Sequence, residues 1–250
     1  MSGTIHVARE GRHIVVLEID NPPLNVMGAQ MRKVFLETLA GLEDDHEIRA
    51  LVLTGRGRAF CSGDDLGEGK LTFAPGESFA DLLTKVAGLR MPVIAAVNGY
   101  CIGGGLELAL CCDIRLAAAE AKFTCAGVNV GLMASVYSLP RLIGVARAKA
   151  MLLTGLPHDA ETAERYGLVT GVYPQEGLRA EAIALADRVA SRAPLSVEAS
   201  KRFVDRALDL SPAEAAALNG RELRTLVQSA DHKEAVAAFR EKRAPIFQRK

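Results

Sequence analysis

The stretch Val93-Ile94-Ala95-Ala96-Val97-Asn98-Gly99-Tyr100-Cys101-Ile102-Gly103-Gly104-Gly105-Leu106-Glu107-Leu108-Ala109-Leu110 decides how the rest of the chain is read. Five apolar residues signal a short buried strand. Asn98-Gly99 signals a turn, and the apolar run behind the three glycines signals a helix. Glycines at a helix start admit close approach to the backbone. The first-turn N–H groups have no intrahelical acceptor and sit at the positive end of the dipole, so they face whatever approaches. Glu107 is the one acid in the run. Tight helix–strand packing with a dipole-complementing acid accounts for the same residues. A dinucleotide fingerprint does not, because Gly99 and Gly103 to Gly105 lack the G-x-G-x-x-G spacing.

A second stretch has the same build. Ala50-Leu51-Val52-Leu53 reads as a buried strand and leads through Thr54-Gly55-Arg56-Gly57-Arg58 into Phe60-Cys61-Ser62-Gly63-Asp64-Asp65-Leu66. Alone it could be a surface turn with an Asp capping a short helix. Paired with the first, it offers a second set of glycine-permitted N–H groups. Two such donors aimed at one carbonyl oxygen stabilise an enolate or a tetrahedral oxyanion, each worth on the order of 10²–10³ in rate. No Gly-Lys-Ser/Thr phosphate loop and no G-x-S-x-G elbow occurs.

Working outward, residues 4–9 and 13–19 read as a hairpin around Glu10-Gly11-Arg12. Met31, Val34, Phe35, Leu39 and Leu42 recur on one helical face. Residues 67–77 hold three glycines and a proline, which predicts a mobile loop. A helix over 78–90 precedes the central strand, and strands follow near 113–117 and 122–124. This is an α/β pattern of strand, loop and helix. Beyond residue 138 the one strand expected is Val169 to Tyr173. Helices are predicted near 138–153, 159–166, 176–192, 195–209, 213–229 and 231–241. Ser211-Pro212-Ala213-Glu214 is a helix-start signal, and Leu223, Leu226 and Val227 share a face of the helix it opens. The expected organisation is a core over 1–192 and a helical region over 193–250, without a linker that forces the boundary. Periodicity does not say whether that region folds over its own core or packs on a neighbouring subunit.

The 250 residues balance 30 basic against 30 acidic side chains, which argues against a polyanion-binding protein. Nearly half the residues are apolar, so a sizeable core is expected. Cys61, Cys101, Cys111, Cys112 and Cys125 are odd in number and lack C-x-x-C spacing. They read as reduced, mostly buried thiols, neither a disulfide frame nor a zinc site. No stretch approaches the roughly 18 apolar residues of a membrane helix, and the N-terminus lacks a signal h-region. A soluble, cytoplasmic protein is expected, with no nucleic-acid or membrane partner. His6, His13, His46, His158 and His232 fall outside every motif and are expected at the surface.

Arg58-Ala59-Phe60-Cys61-Ser62-Gly63-Asp64-Asp65-Leu66 resembles the pattern R-A-F-C-A-G-A-D-L, and Pro92 to Leu108 resembles P-V-I-A-A-V-N-G-x-x-x-G-G-G-x-E-L. Both patterns belong to the crotonase (enoyl-CoA hydratase/isomerase) superfamily. The resemblance runs on through Cys112-Asp113-Ile114, Pro140 to Gly144, Ala163 to Val169 and Phe239 to Pro245, and so covers essentially the whole chain. It implies a ββα-spiral core with a helical C-terminal trimerisation region, assembled as a homotrimer or a hexamer of two trimers. It implies an acyl-CoA thioester as substrate, with coenzyme A part of that substrate and no metal or redox cofactor. The implied oxyanion hole is the N–H groups of Asp64 and Gly104. The implied CoA-ester contacts are Arg58, Ser62, Asp64, Asp65, Leu66, Gly67, Gly104, Gly127 and Ser135, with Phe239 and Lys242 typically acting across a subunit interface. At Gly67 the family usually carries a cation.

Hydratases of this superfamily commonly use two glutamates to position and split one water. Glu107 matches the first. The position matching the second is Gly127, and no acid occurs between Glu120 and Asp159. Loss of that side chain is expected to leave room for a bulkier acyl group or a water, with Ser135 and Tyr137 as possible polar groups there. Glu107, if buried among Leu106, Leu108 and Leu110, would have a raised pKa suited to general acid–base work. Hydration of an enoyl-CoA is the default expectation. Decarboxylation, hydrolysis, racemisation, a non-catalytic acyl-CoA-binding protein and a structural partner of a larger assembly stay open.

Overall fold

A computed structural model describes residues 3–68, 76 and 78–250. In chain order its elements are β1 (Thr4–Glu10), β2 (Ile14–Asp20), α1 (Ala29–Asp44), β3 (Ala50–Gly55), β4 (Ala59–Cys61), α2 (Phe79–Gly88), β5 (Val93–Val97), β6 (Tyr100–Ile102), α3 (Gly104–Cys111), β7 (Ile114–Ala118), β8 (Lys122–Thr124), α4 (Ser138–Ile143), α5 (Val145–Thr154), β9 (Pro157–Asp159), α6 (Ala160–Tyr166), β10 (Val172–Tyr173), α7 (Leu178–Ala190), α8 (Pro194–Ala207), α9 (Pro212–Gln228) and α10 (Ala230–Glu241).

Three successive units share one plan. β3, β5 and β7 lie side by side and parallel in a sheet of order β1-β2-β3-β5-β7-β10. Each is followed by a sharp turn and a short strand. Those short strands, β4, β6 and β8, line up in the same sequence in a second sheet of order β4-β6-β8-β9. A helix follows the second strand in the first two units, which makes the ββα spiral. The sequence reading placed β4 inside a loop and β6 inside a glycine turn. Three residues are too few for a periodicity to show, and what makes them strands is pairing with the unit alongside.

The long strands are apolar on both faces because both are covered. Ile14, Val16, Val52, Ile94, Ala96 and Leu116 meet α7 through Leu178, Ala182, Ala186 and Ala190, whose four-residue spacing presents one small-residue stripe. The opposite face, with Leu17, Leu53 and Val97, packs against Phe35 and Leu39 of α1 and Leu82 and Val86 of α2. Asn98 joins neighbouring turns: its Oδ1 accepts the Gly55 N–H at 3.0 Å and its Nδ2 donates to the Gly57 carbonyl at 3.0 Å.

Three boundaries differ from expectation. The helix predicted over 138–153 is two helices, broken at Gly144 with φ +82°. The strand predicted from Val169 starts at Val172, because the Leu168 and Val169 amides both donate to the Ala163 carbonyl, at 2.8 and 3.4 Å, and close α6. β9 went unseen; it pairs antiparallel with β8. The loop expected over 67–77 lies largely outside the described residues. The Ser211–Glu214 start signal is a capping box in the structure. α9 has no buried residue, and Leu223 and Val227 on its apolar face are exposed. The chain end turns back: the Asp231 carboxylate accepts the Gln248 and Arg249 amides at 2.7 and 2.9 Å, and Arg249 pairs with buried Glu198 at 2.8 Å. Among the described residues no helix is long and apolar enough to cross a membrane.

Candidate active site

The two glycine-bearing turns meet because β4 and β6 are neighbours, with Cys61 beside Cys101. Gly63 turns the chain at φ +87°. A Cβ there would lie 2.7 Å from the Gly104 nitrogen, and a Cβ on Gly105 would lie 1.9 Å from the Cys61 carbonyl oxygen. Only glycine lets the two backbones touch in this way.

The touching turns also orient their amides. Met27 and Asp64 form an isolated parallel bridge: the Met27 N–H donates to the Gly63 carbonyl at 2.8 Å, and the Asp65 N–H donates to the Met27 carbonyl at 3.4 Å. In such a bridge the flanking residues make the bonds, so the N–H of Asp64 itself points to the opposite edge. Gly104 is the first residue of α3, where an N–H has no intrahelical acceptor. Neither amide donates to a described residue, and both residues line one cleft. The loop is fastened to the start of α1 twice more. The Asp64 carboxylate pairs with the guanidinium of Arg32, which is buried and also donates to the Met27 carbonyl at 2.8 Å. Glu68 accepts the Ala29 N–H at 3.0 Å. Burial pushes the Asp64 carboxyl pKa up, and Arg32 opposes that shift.

The cleft holds about 490 Å³, within the usual range for a small-ligand site. Phe79, Leu83, Ile102, Val130, Leu132 and Met133 give it an apolar wall, and its polar side chains are Ser62, Asp64, Ser78 and Glu107. Ser78 is committed to the capping box of α2, bonded with Asp81. The hydroxyl of Ser62 is buried and has no protein partner among the described residues. Glu107 is half-buried, with Leu106 and Leu108 turned into the core behind it. Leu106 and Leu108 belong to the core and do not line the cleft that Glu107 reaches. Its Oε1 accepts the Ser135 N–H at 2.8 Å. Ser135 reaches it with φ +60°.

Gly127 lines the cleft, but the room expected at its missing side chain is taken. A Cβ there would lie 2.9 Å from the Leu132 carbonyl oxygen and 3.2 Å from the Ala134 nitrogen. The cause is a tight return: the Leu132 N–H donates to the Gly127 carbonyl at 2.8 Å, and Gly131 at φ +72° lets the chain double back. The same return takes Tyr137 out of the site. It is exposed, under the Arg141 guanidinium at 4.8 Å, with its hydroxyl 3.4 Å from Asp209.

Ser62, Asp64, Leu66, Gly104, Glu107 and Gly127 are thus brought together in one wall. Arg58 lies over the Tyr100 ring, and the Asp65 carboxylate accepts the Gly67 amide at 2.8 Å; Arg58, Asp65 and Gly67 do not line the cleft. Ser135 contributes its backbone and not a lining side chain. Phe239 and Lys242 are exposed and lie outside this chain's cleft. Sequence reasoning missed Arg32 and the α2 wall. Arg32 sits three and seven residues before Phe35 and Leu39, a charge on an apolar helical face, which was a readable signal. The capping box Ser78-x-x-Asp81 was another. All five cysteines are free, and burial pushes Cys61 up to about 12 and Cys111 and Cys125 up to about 11, so the three are protonated at neutral pH.

The enoyl-CoA hydratase/isomerase family model matches residues 9–250. A Mycobacterium bovis protein named probable enoyl-CoA hydratase is 37% identical, over 98% of this chain and 97% of its own length. (E)-Benzylidenesuccinyl-CoA hydratase of Thauera aromatica is 38% identical, over 94% of this chain and 95% of its own. The crystal structure of an enoyl-CoA hydratase from Bacillus anthracis superposes with a TM-score of 0.93 at 30% identity, covering 98% of this chain and 99% of that one.

Proposed function

Because the chain belongs to the enoyl-CoA hydratase/isomerase family, we propose that it binds an acyl-CoA thioester with the carbonyl oxygen between the N–H groups of Asp64 and Gly104, and that it hydrates an enoyl-CoA. The observation that carries the reading is that two amides without acceptors among the described residues, and the carboxylate of Glu107, face a single apolar cleft. In the proposed reaction Glu107 takes a proton from a bound water. The hydroxide adds to the β-carbon, and the electron pair moves to the thioester oxygen as an enolate. The two amides stabilise that charge without having to reorganise. The proton on Glu107 then passes to the α-carbon, which completes addition of one water. One carboxylate serves both transfers, consistent with Gly127 carrying no second acid. Thioester enolate chemistry needs a polarised carbonyl and an acid–base group, so the reading includes no metal or redox cofactor.

An assembly of three or six copies belongs to the same proposal. The uncovered apolar face of α9 supports it, as does the position of Phe239 and Lys242 away from their own chain's cleft. The test of function is Glu107→Gln assayed on a panel of enoyl-, β-keto- and malonyl-type CoA esters. Turnover of the enoyl ester is expected to fall about 10²-fold or more while the ester still binds. Equal turnover by both proteins would reject Glu107 as the proton carrier. Binding without turnover in the wild type would favour an acyl-CoA-binding protein, and preference for a malonyl ester would favour decarboxylation.

A further inference from the structure

Asp64 combines two roles that oppose one another. Its N–H is an oxyanion donor under the reading above, on which this inference rests, and its side chain is an acid. Covalent geometry keeps a residue's carboxylate within about 5 Å of its own amide. A negative charge so placed in a half-buried wall repels the oxyanion that the amide is meant to stabilise.

The surroundings of Asp64 show how the conflict is handled. Arg32 is 2% exposed, on the face of α1 that also carries Phe35 and Leu39. A buried arginine is rare unless it is paired. Its guanidinium bonds the Asp64 carboxylate and the Met27 carbonyl, so one side chain ties both partners of the bridge that aims the Asp64 amide. Among the described residues, the other charges facing Asp64 are acids. Asp65 and Glu68 lie on its own loop, and Glu107 of α3 shares the cleft wall. Among the described residues Arg32 is the cation bonded to the Asp64 carboxylate.

We propose that Arg32 is a positioning residue of the oxyanion site: it neutralises the Asp64 carboxylate and holds the Met27–Asp64 bridge so that the Asp64 amide meets the thioester oxygen without a facing negative charge. The pair is what permits an acid at this donor position. Burial already raises the Asp64 carboxyl pKa against the pull of Arg32. Without the arginine it rises further, and the carboxylate then takes up a proton more readily as pH falls.

The test is steady-state kinetics of the full-length protein on an enoyl-CoA ester across pH, with thermal melts alongside. Arg32→Met is expected to lower kcat about 10²-fold with KM little changed, and its kcat should recover toward mildly acid pH. Adding Asp64→Asn to that variant removes the facing charge and should restore kcat at least about 10-fold at neutral pH, without the acid limb. Arg32→Lys keeps the charge and is expected to retain kcat within about 10-fold of the wild type. A merely structural pair would move the melting temperature and leave the pH profile alone. The inference is overturned if folded Arg32→Met keeps kcat within about 3-fold of wild type, or if the double variant gains nothing over it. Should Arg32→Met fail to fold, Arg32→Lys decides against the double variant, in which no charge is stranded. The inference then requires both to fold and turn over, and fails if the lysine variant is no more active than an inactive double variant. Glu107→Gln run in parallel separates the two layers. If it matches the wild type, the functional reading falls; if it is inactive while the Arg32 variants are unaffected, only the role of Arg32 falls.

Discussion

Glu107 Oε1 accepts the N–H of Ser135 at 2.8 Å, and Ser135 makes that bond from the left-handed region at φ +60°. A main-chain group therefore holds the candidate acid, and residue 135 is chosen by its backbone. Ser135→Gly and Ser135→Asn, which tolerate this region, should leave kcat and KM within about 3-fold. Ser135→Val should cost roughly 1–3 kcal/mol in stability and lower kcat more than it raises KM, because the β-branched residue strains away from φ +60°. Equal kinetics for valine and glycine in chemically unfolded-and-refolded samples of matched stability would refute the link.

Gly127 invites an obvious repair, which the backbone around it opposes. Gly127→Glu would place a carboxylate where the family commonly has its second one, but its Cβ meets the Leu132 carbonyl and the Ala134 amide first. Overpacking of this kind costs typically 1–3 kcal/mol. The variant should melt earlier and gain no hydratase activity. A rise in turnover would mean that the 131–134 return moves aside at little cost.

Ser62 carries a hydroxyl in the cleft wall that no described side chain or carbonyl uses. Removing it in Ser62→Ala breaks no protein hydrogen bond, so the unliganded melting temperature should stay within the range of a ~0.5 kcal/mol change. The same substitution should weaken binding of a CoA ester about 5- to 10-fold, the worth of one hydrogen bond. Calorimetric titration measures it, and unchanged affinity would remove Ser62 from the binding surface.

Glu234 holds the chain end. Its carboxylate takes both arms of Arg243, at 2.5 and 2.9 Å, and the Ile246 amide at 2.8 Å, and these bonds pull its pKa down to about 2. A depressed carboxyl contributes stability that is present above the ordinary value of 4.5 and is lost as pH falls toward about 2. The Ile246 amide should thus stay protected from hydrogen exchange at mildly acid pH and lose protection below that window. In Glu234→Gln it should exchange readily at all pH values, with faster proteolysis of residues 243–250.

The sequence made the long strands and the helices legible because each buries enough side chains to show a period. Phe60-Cys61 and Tyr100-Cys101-Ile102 were not legible as strands, since nothing within three residues distinguishes a bridge to a neighbouring unit from a turn. At the site, Glu107 and the glycines stood out by composition and by resemblance to known motifs. The filling of the space beside Gly127 did not, because it depends on how the chain returns after Gly131. Arg32 was readable in principle, as a charge on an apolar face, but its partner lies 32 residues away across a contact that no local pattern announces.

The isolated bridge between Met27 and Asp64 has an evolutionary consequence. Under the proposed reaction it makes a peptide group, and not a side chain, the working part at position 64. Every amino acid but proline brings that group, so mutation can redecorate the position without silencing it. On the proposed reading, that latitude has admitted an acid beside a would-be anion, and the debt of that choice falls on Arg32, a helix residue outside the cleft lining.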